Sequence, residues 1–199
     1  MERIRDVTRI YPEVTGVLLA GGRSRRFGRN KALAEFQDQR MIERVLAALR
    51  AVFPKILIAT NTPEEYEFLP AELLRDEAPY LGPLGGILSA LRKIATPYAF
   101  VAACDMPLLN PETIRGVVAA GLGHAAAVPF HPGGREYLMA LYSRSLIPQI
   151  RESLERGVFA MREFCAGIED LRWVPVVGES AANVNTPEDL RSLEGRHAL

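Results

Sequence analysis

Residues 16–33, GVLLAGGRSRRFGRNKAL, run from an uninterrupted apolar stretch through two glycines into a loop with five cations: Arg23, Arg25, Arg26, Arg29 and Lys31. Gly16 to Ala20 suits a short strand buried on both faces, since it has no polar side to turn toward water. Such a strand belongs at the centre of a sheet. Glycines after it let the backbone approach a ligand and aim its amides at an anion, while fixed cations neutralise phosphate charge. A flexible, solvated turn fits the same letters, but it has no reason to stand at the end of the first strand of an α/β sheet. The glycine spacing matches neither the dinucleotide fingerprint nor the Walker loop.

Downstream, Ile42, Val45, Leu46, Leu49, Val52 and Phe53 recur at helical spacing, with Glu43, Arg44 and Arg50 opposite and Pro54 as the stop. ILIAT (56–60) reads as a second strand, and Thr62-Pro63-Glu64-Glu65 as a capped helix start. ELLR (72–75) is a weaker strand, GGILSALRKI (85–94) is helical after its glycines, AFVAAC (99–104) is a buried strand, and Asn110-Pro111-Glu112 caps another helix. Strand and helix alternate, which predicts a mostly parallel sheet with right-handed crossovers and helices on both faces. Beyond residue 125 the pattern is less regular: AAAVPF, YLMALY, two short helical stretches around 145–166, WVPVV and NVNTPEDL.

In a parallel sheet, ligands bind beyond the carboxyl ends of the strands. The loop 21–31, Asn61, Asp76 and Asp105 all follow predicted strands, so they are expected to converge. Asp105, in Cys104-Asp105-Met106-Pro107, can hold a hard divalent cation by one oxygen and leave water and phosphate to complete the shell; taken alone, a loop aspartate satisfied by backbone amides fits these residues better. Cys104 reads as strand packing. In Leu81-Gly82-Pro83-Leu84-Gly85-Gly86 the glycines offer a bed for a flat base, with Asp76 accepting from it, and a turn leading into a helix is equally compatible. Thr186 and Pro187 read as a helix cap, which leaves Asn183 and Asn185 available to a ligand or metal. Arg135, in the HPGGRE turn, reads as a solvated loop arginine, with contact to an acceptor phosphate as the alternative.

The chain has 199 residues, 48% hydrophobic, and its 24 Lys and Arg balance 24 Asp and Glu. One domain accommodates that length. With no net field, neither nucleic acid nor an anionic membrane is an expected partner. Two distant cysteines, Cys104 and Cys165, and three histidines in no ligand-like spacing argue against a disulfide framework or a zinc site. No signal peptide or membrane span is legible, so the cytoplasm is the expected location.

LLAGGRSRRFGRNKAL, the TN after the second strand, DEAPYLGPLGGILSAL, CDMP and NVNTPEDL occur in that order over nearly the whole chain. In this the sequence resembles the molybdenum cofactor guanylyltransferases, within the Rossmann-like nucleotidyltransferases. The resemblance implies a three-layer α/β/α fold around a mostly parallel central sheet. It implies residues 1–199 as one domain: an extension at 1–13, a nucleotide-binding half at about 14–123 and an acceptor-binding half at about 124–199. It also implies GTP held by Leu19, Ala20, Gly21 and Lys31, with Asn61 and Asp76 on the base and ribose side. Asp105 would meet both nucleotide and Mg2+, Asn185 would be a second metal contact, and Arg26 would face the triphosphate. Arg26, Lys31 and Asp105 are thereby the expected catalytic residues. The implied acceptor is molybdopterin or its molybdenum-bearing form, with a cofactor-delivery protein and molybdoenzyme chaperones as further partners. A cytidylyltransferase or a sugar-1-phosphate nucleotidyltransferase is the alternative within the same chemistry, and a non-catalytic GTP-binding adaptor the alternative outside it.

Overall fold

The apolar stretch forms strand β1, Val14–Leu19, which lies between two parallel neighbours. A computed structural model of the chain describes residues 8–21, 27–75 and 81–197. After β1 come a hairpin of β2 (Glu35–Phe36) and β3 (Gln39–Arg40), helix α1 (Met41–Arg50), β4 (Ile56–Thr60), β5 (Glu72–Arg75), α2 (Gly82–Lys93) and β6 (Tyr98–Ala103). The second part contains α3 (Pro111–Gly121), β7 (Ala126–His131), β8 (Gly134–Arg135), β9 (Met139–Ser143), α4 (Ile147–Glu155), α5 (Met161–Ala166), β10 (Leu171–Pro175) and α6 (Pro187–His197).

Among the described residues, one sheet runs in the order β10-β7-β9-β6-β1-β4-β5, with β8 paired to β7. Alternate side chains of β1 face opposite layers, as a period of two requires. Val14 and Leu18 join Ile58, Phe100 and Ala102 beneath α1 and α3. Val17 joins Leu57, Ala99 and Val101 beneath α2, α4 and α5. The expected three layers are therefore present. Gly16 is required by packing: a Cβ there would lie 2.6 Å from Ile56 Cδ1 and 2.9 Å from Phe53 Cδ2.

The sheet is parallel from β6 through β1 and β4 to β5, and between β7 and β10. Strand β9 runs antiparallel to both β6 and β7. The link from His131 to Met139 is too short for a parallel crossover, which takes a dozen or more residues, so the chain turns back on itself.

Two local expectations are corrected. Thr62 makes no side-chain cap, and Pro63–Glu65 is a single 3-10 turn. Tyr66 and Leu69 fold inward immediately after it, and that burial takes the place of further helix. Helix α2 begins at Gly82 and not after Gly85 and Gly86, which are buried inside it. Those two glycines thus lie inside the helix and not in a turn before it. Asn110, by contrast, caps α3 as its sequence position indicates, accepting from the Thr113 amide at 2.9 Å.

Candidate active site

Strands β1 and β6 are neighbours, and the sheet extends from β1 through β4 and β5 in one direction and from β6 in the other. In a parallel sheet the ligand site lies beyond the carboxyl ends of such strands. Two residues past β6 stands Asp105. Its turn is fixed from below by buried Met106 and Leu109, by the Leu109 amide donating to the Met106 carbonyl at 3.0 Å, and by Arg44 of α1 donating to the Pro107 carbonyl at 3.1 Å. Asp105 Oδ2 accepts a hydrogen bond from Lys31 Nζ. The two side chains keep 18% and 11% of their exposure, so the pair is screened far less than a surface ion pair. Asp105 Oδ1 is buried and has no hydrogen-bond partner among the described residues.

Lys31 owes its position to its neighbours. Asn30 Oδ1 accepts from the Ala32 amide at 3.1 Å and caps the 3-10 turn Lys31–Leu33. Phe27 is buried with Phe36, Met41, Val184, Leu190 and Leu193. One apolar cluster therefore anchors both the cationic loop and the C-terminal asparagine segment. That segment is also tied directly to the site, because the Val184 amide donates to the Asp105 carbonyl at 2.8 Å. Thr186 and Asp189 form a reciprocal cap on α6, the Asp189 amide donating to Thr186 Oγ1 at 3.1 Å and the Thr186 amide to Asp189 Oδ2 at 2.9 Å. The result sets Asn185 Oδ1 at 3.4 Å from Lys31 Nζ.

The two asparagines separate in role. Asn183 Nδ2 donates to Glu136 Oε2 at 3.0 Å and to the Ala181 carbonyl at 3.2 Å. Glu136 Oε1 in turn pairs with His131 Nε2 at 3.0 Å. Asn183 thus fastens the segment to Glu136, the residue after β8, while Asn185 faces the Lys31–Asp105 pair. Arg135, read as a solvated loop arginine, stacks its guanidinium over the Trp173 ring, 4.5 Å from the centroid.

Of the residues expected to meet a nucleotide, Leu19 is half-buried at the end of β1, where its carbonyl accepts from the Cys104 amide at 3.2 Å. Ala20 is buried, its amide donates to the Ala59 carbonyl at 2.9 Å, and exposed Gly21 opens the loop. Asn61 follows β4 on the same edge, and its Oδ1 is a second buried oxygen without a hydrogen-bond partner among the described residues. Arg26 and Asp76 lie outside the described residues. The sequence reading gave Arg44 and Glu136 no part in the site and did not register Tyr66, since each acts through a contact distant in the chain. Burial pushes the Cys104 thiol up to about 12, an effect that outweighs the opposing charge of nearby Lys31. No three His, Cys, Asp or Glu side chains form a metal cage among the described residues.

Residues 16–170 match the sequence model of a family described as "MobA-like NTP transferase domain". A relative from Pelotomaculum thermopropionicum named "Probable molybdenum cofactor guanylyltransferase" is 37% identical over 185 residues, 89% of this chain and 90% of its own. One from Desulfosudis oleivorans, named "Molybdenum cofactor guanylyltransferase", is 34% identical over 91% of this chain and 94% of its own. Among solved structures, molybdopterin-guanine dinucleotide biosynthesis protein A from Archaeoglobus fulgidus superimposes with a TM-score of 0.79 at 25% identity, covering 92% of this chain and 98% of that one.

Proposed function

The chain belongs to the MobA-like NTP transferase domain family and is a nucleotidyltransferase, and from that premise we propose that it transfers GMP from GTP to the terminal phosphate of molybdopterin. An oxygen of the acceptor phosphate attacks the α-phosphorus, the bond from that phosphorus to the bridging oxygen breaks, and pyrophosphate leaves. The observation that carries this reading is the largely dehydrated Lys31–Asp105 pair at the carboxyl edge of β1 and β6, with one Asp105 oxygen that has no hydrogen-bond partner among the described residues.

Attack of one anion on another is opposed chiefly by charge, so the residues act by positioning and by neutralisation, with no covalent intermediate. Lys31 answers the charge of the triphosphate, and Arg26 is assigned the same task. Leu19, Ala20 and Gly21 line the phosphates. Asn61 Oδ1, which has no hydrogen-bond partner among the described residues, suits a base N–H, with Asp76 assigned beside it.

The donor set fits Mg2+: a single carboxylate oxygen, Asp105 Oδ1, with the amide oxygen of Asn185 nearby, leaves most of an octahedron to water and phosphate oxygens. The ion would supply neutralisation of the triphosphate where Asp105 holds it. Residues 14–123 form the nucleotide half on this reading and 124–199 the acceptor half. No helix among the described residues is long and apolar enough to cross a membrane.

The test is incubation with molybdopterin, with and without molybdate, in the presence of Mg2+ and each of GTP, CTP and UTP, followed by mass analysis of the dinucleotide and assay of pyrophosphate. Guanine dinucleotide formed from GTP is the expected product. A cytosine dinucleotide, or no product from any triphosphate, would overturn the assignment.

A further inference from the structure

The Tyr66 hydroxyl bridges the two ends of the cationic loop. It donates to the carbonyl of Ala20, which precedes the loop, at 3.3 Å, and it accepts from Nδ2 of Asn30, which closes it, at 2.8 Å. Tyr66 is 1% exposed, and burial pushes its hydroxyl up to about 12, so it remains a protonated donor at working pH. Its ring belongs to the core beneath α1, which fixes the oxygen in place.

Asn30 is equally committed. Its second amide hydrogen goes to Glu65 Oε2 at 2.5 Å, and its own oxygen caps the turn that carries Lys31. All three hydrogen bonds set the start of that turn. The two ends of the bridge differ in how much they depend on it. Ala20 keeps a second donor, Thr60 Oγ1 at 3.0 Å, whereas Asn30 relies on Tyr66 and Glu65. Loss of the hydroxyl therefore falls on the Lys31 side of the loop.

We propose that Tyr66 is a positioning residue for nucleotidyl transfer, a hydroxyl clamp across the base of the loop that sets Lys31, through Asn30, against Asp105 and the triphosphate. The clamp extends to Glu65: an aspartate at position 30 would set two carboxylates against each other, so the Asn30–Glu65 pair works as a unit.

The inference rests on the nucleotidyltransferase reading, and its test is separable from it. Product formation by the parent enzyme reports on the reading; the variant-to-parent ratio of kcat/KM, measured with whichever triphosphate the parent turns over, reports on the clamp. Tyr66→Phe keeps the ring and is expected to lower kcat/KM for the triphosphate about tenfold, the scale of one lost hydrogen bond of about 1.4 kcal/mol. Asn30→Ala breaks the same bridge without altering the core, so the question stays answerable if Tyr66→Phe folds poorly. In a Lys31→Ala background both substitutions are expected to have little further effect, because the clamp acts through Lys31. Asn30→Asp is expected to be impaired, and Asn30→Asp with Glu65→Gln to recover. Equal losses from Tyr66→Phe with and without Lys31, or parent kinetics in both Tyr66→Phe and Asn30→Ala, would overturn the clamp.

Discussion

Lys31 and Asp105 come from loops 74 residues apart and meet in an ion pair at the carboxyl edge of β1 and β6. Each is the other's counter-charge before any nucleotide arrives. Removing Lys31 takes from the mostly buried Asp105 carboxylate its ion-pair partner, a cost beyond the loss of the contact itself. Asp105→Asn is expected to retain the fold by circular dichroism and to lose Mg2+-dependent pyrophosphate release by about a thousandfold. Lys31→Met is expected to lower kcat/KM by about 30-fold to 1,000-fold, equivalent to roughly 2–4 kcal/mol of transition-state stabilisation. The two losses should be strongly non-additive in the double variant. Parent-rate turnover by Asp105→Asn would remove Asp105 from the reaction.

Both cysteines are buried and both thiols are displaced upward by desolvation, Cys104 to about 12 and Cys165 to about 11, from an ordinary 9.0. Above pH 9 an unfolded chain releases these protons while the folded chain retains them. The stabilisation is thus complete below pH 9 and is lost as pH rises toward 11–12. The decline amounts to at most about 1.4 kcal/mol per pH unit for each thiol. Above pH 10 Tyr66 adds to it, being raised from 10.0 to about 12. Melting temperatures between pH 8 and 10.5 should fall, and less steeply in a Cys104→Ala, Cys165→Ala variant. An unchanged slope in that variant would acquit the thiols.

The layered architecture was legible because its strands are short, apolar and separated by helical periodicity; ILIAT is strand Ile56–Thr60, as its letters suggest. The hairpin Glu35–Arg40 was not. Its two-residue turn places Gln37 and Asp38 at φ of 50° and 60°, where glycine or asparagine is the usual signal. The antiparallel β9 was hidden because AAAVPF and YLMALY carry no mark of direction, and only the short link between them decides it. In the site, Asp105 and Lys31 stood out because each combined a chemical group with a place after a strand or glycine loop. The Tyr66 clamp and the Glu136–Asn183 tie are pairings across 46 and 47 residues, which no local pattern records.

Helix α3 contains two glycines with opposite expectations. A Cβ on Gly121 would stand 2.5 Å from Ala127 Cβ and 2.8 Å from Leu141 Cδ2, where the helix end presses on β7 and β9. A Cβ on Gly116 meets nothing within 4 Å. Gly121→Ala should therefore cost about 1–3 kcal/mol through forced repacking. Gly116→Ala should gain about 0.5–1 kcal/mol by reducing the freedom of the unfolded chain. Urea midpoints measured side by side check this; destabilisation by Gly116→Ala would contradict the open surface at that position.

Asn183 and Asn185 lie two residues apart, and the sequence offers both to a metal. Their surroundings differ: Asn183 Nδ2 donates to Glu136 and the Ala181 carbonyl, which holds it toward β8, whereas Asn185 Oδ1 is 3.4 Å from Lys31 Nζ and on the Asp105 side. The Asn185 amide is held by Asp189 Oδ2 at 2.9 Å, so the backbone at that position persists when the side chain is shortened. Asn185→Ala should accordingly raise the Mg2+ concentration for half-maximal turnover by about tenfold, the lower end of what loss of a metal-orienting group costs. Asn183→Ala should act differently, loosening the tie to Glu136 after β8 and raising KM for the acceptor more than the Mg2+ requirement. Titrating Mg2+ and acceptor separately against both variants distinguishes the two effects. If Asn183→Ala moved the Mg2+ midpoint and Asn185→Ala did not, the metal contact would belong to Asn183, whose Oδ1 takes no part in the bonds that its Nδ2 donates to Glu136 and Ala181.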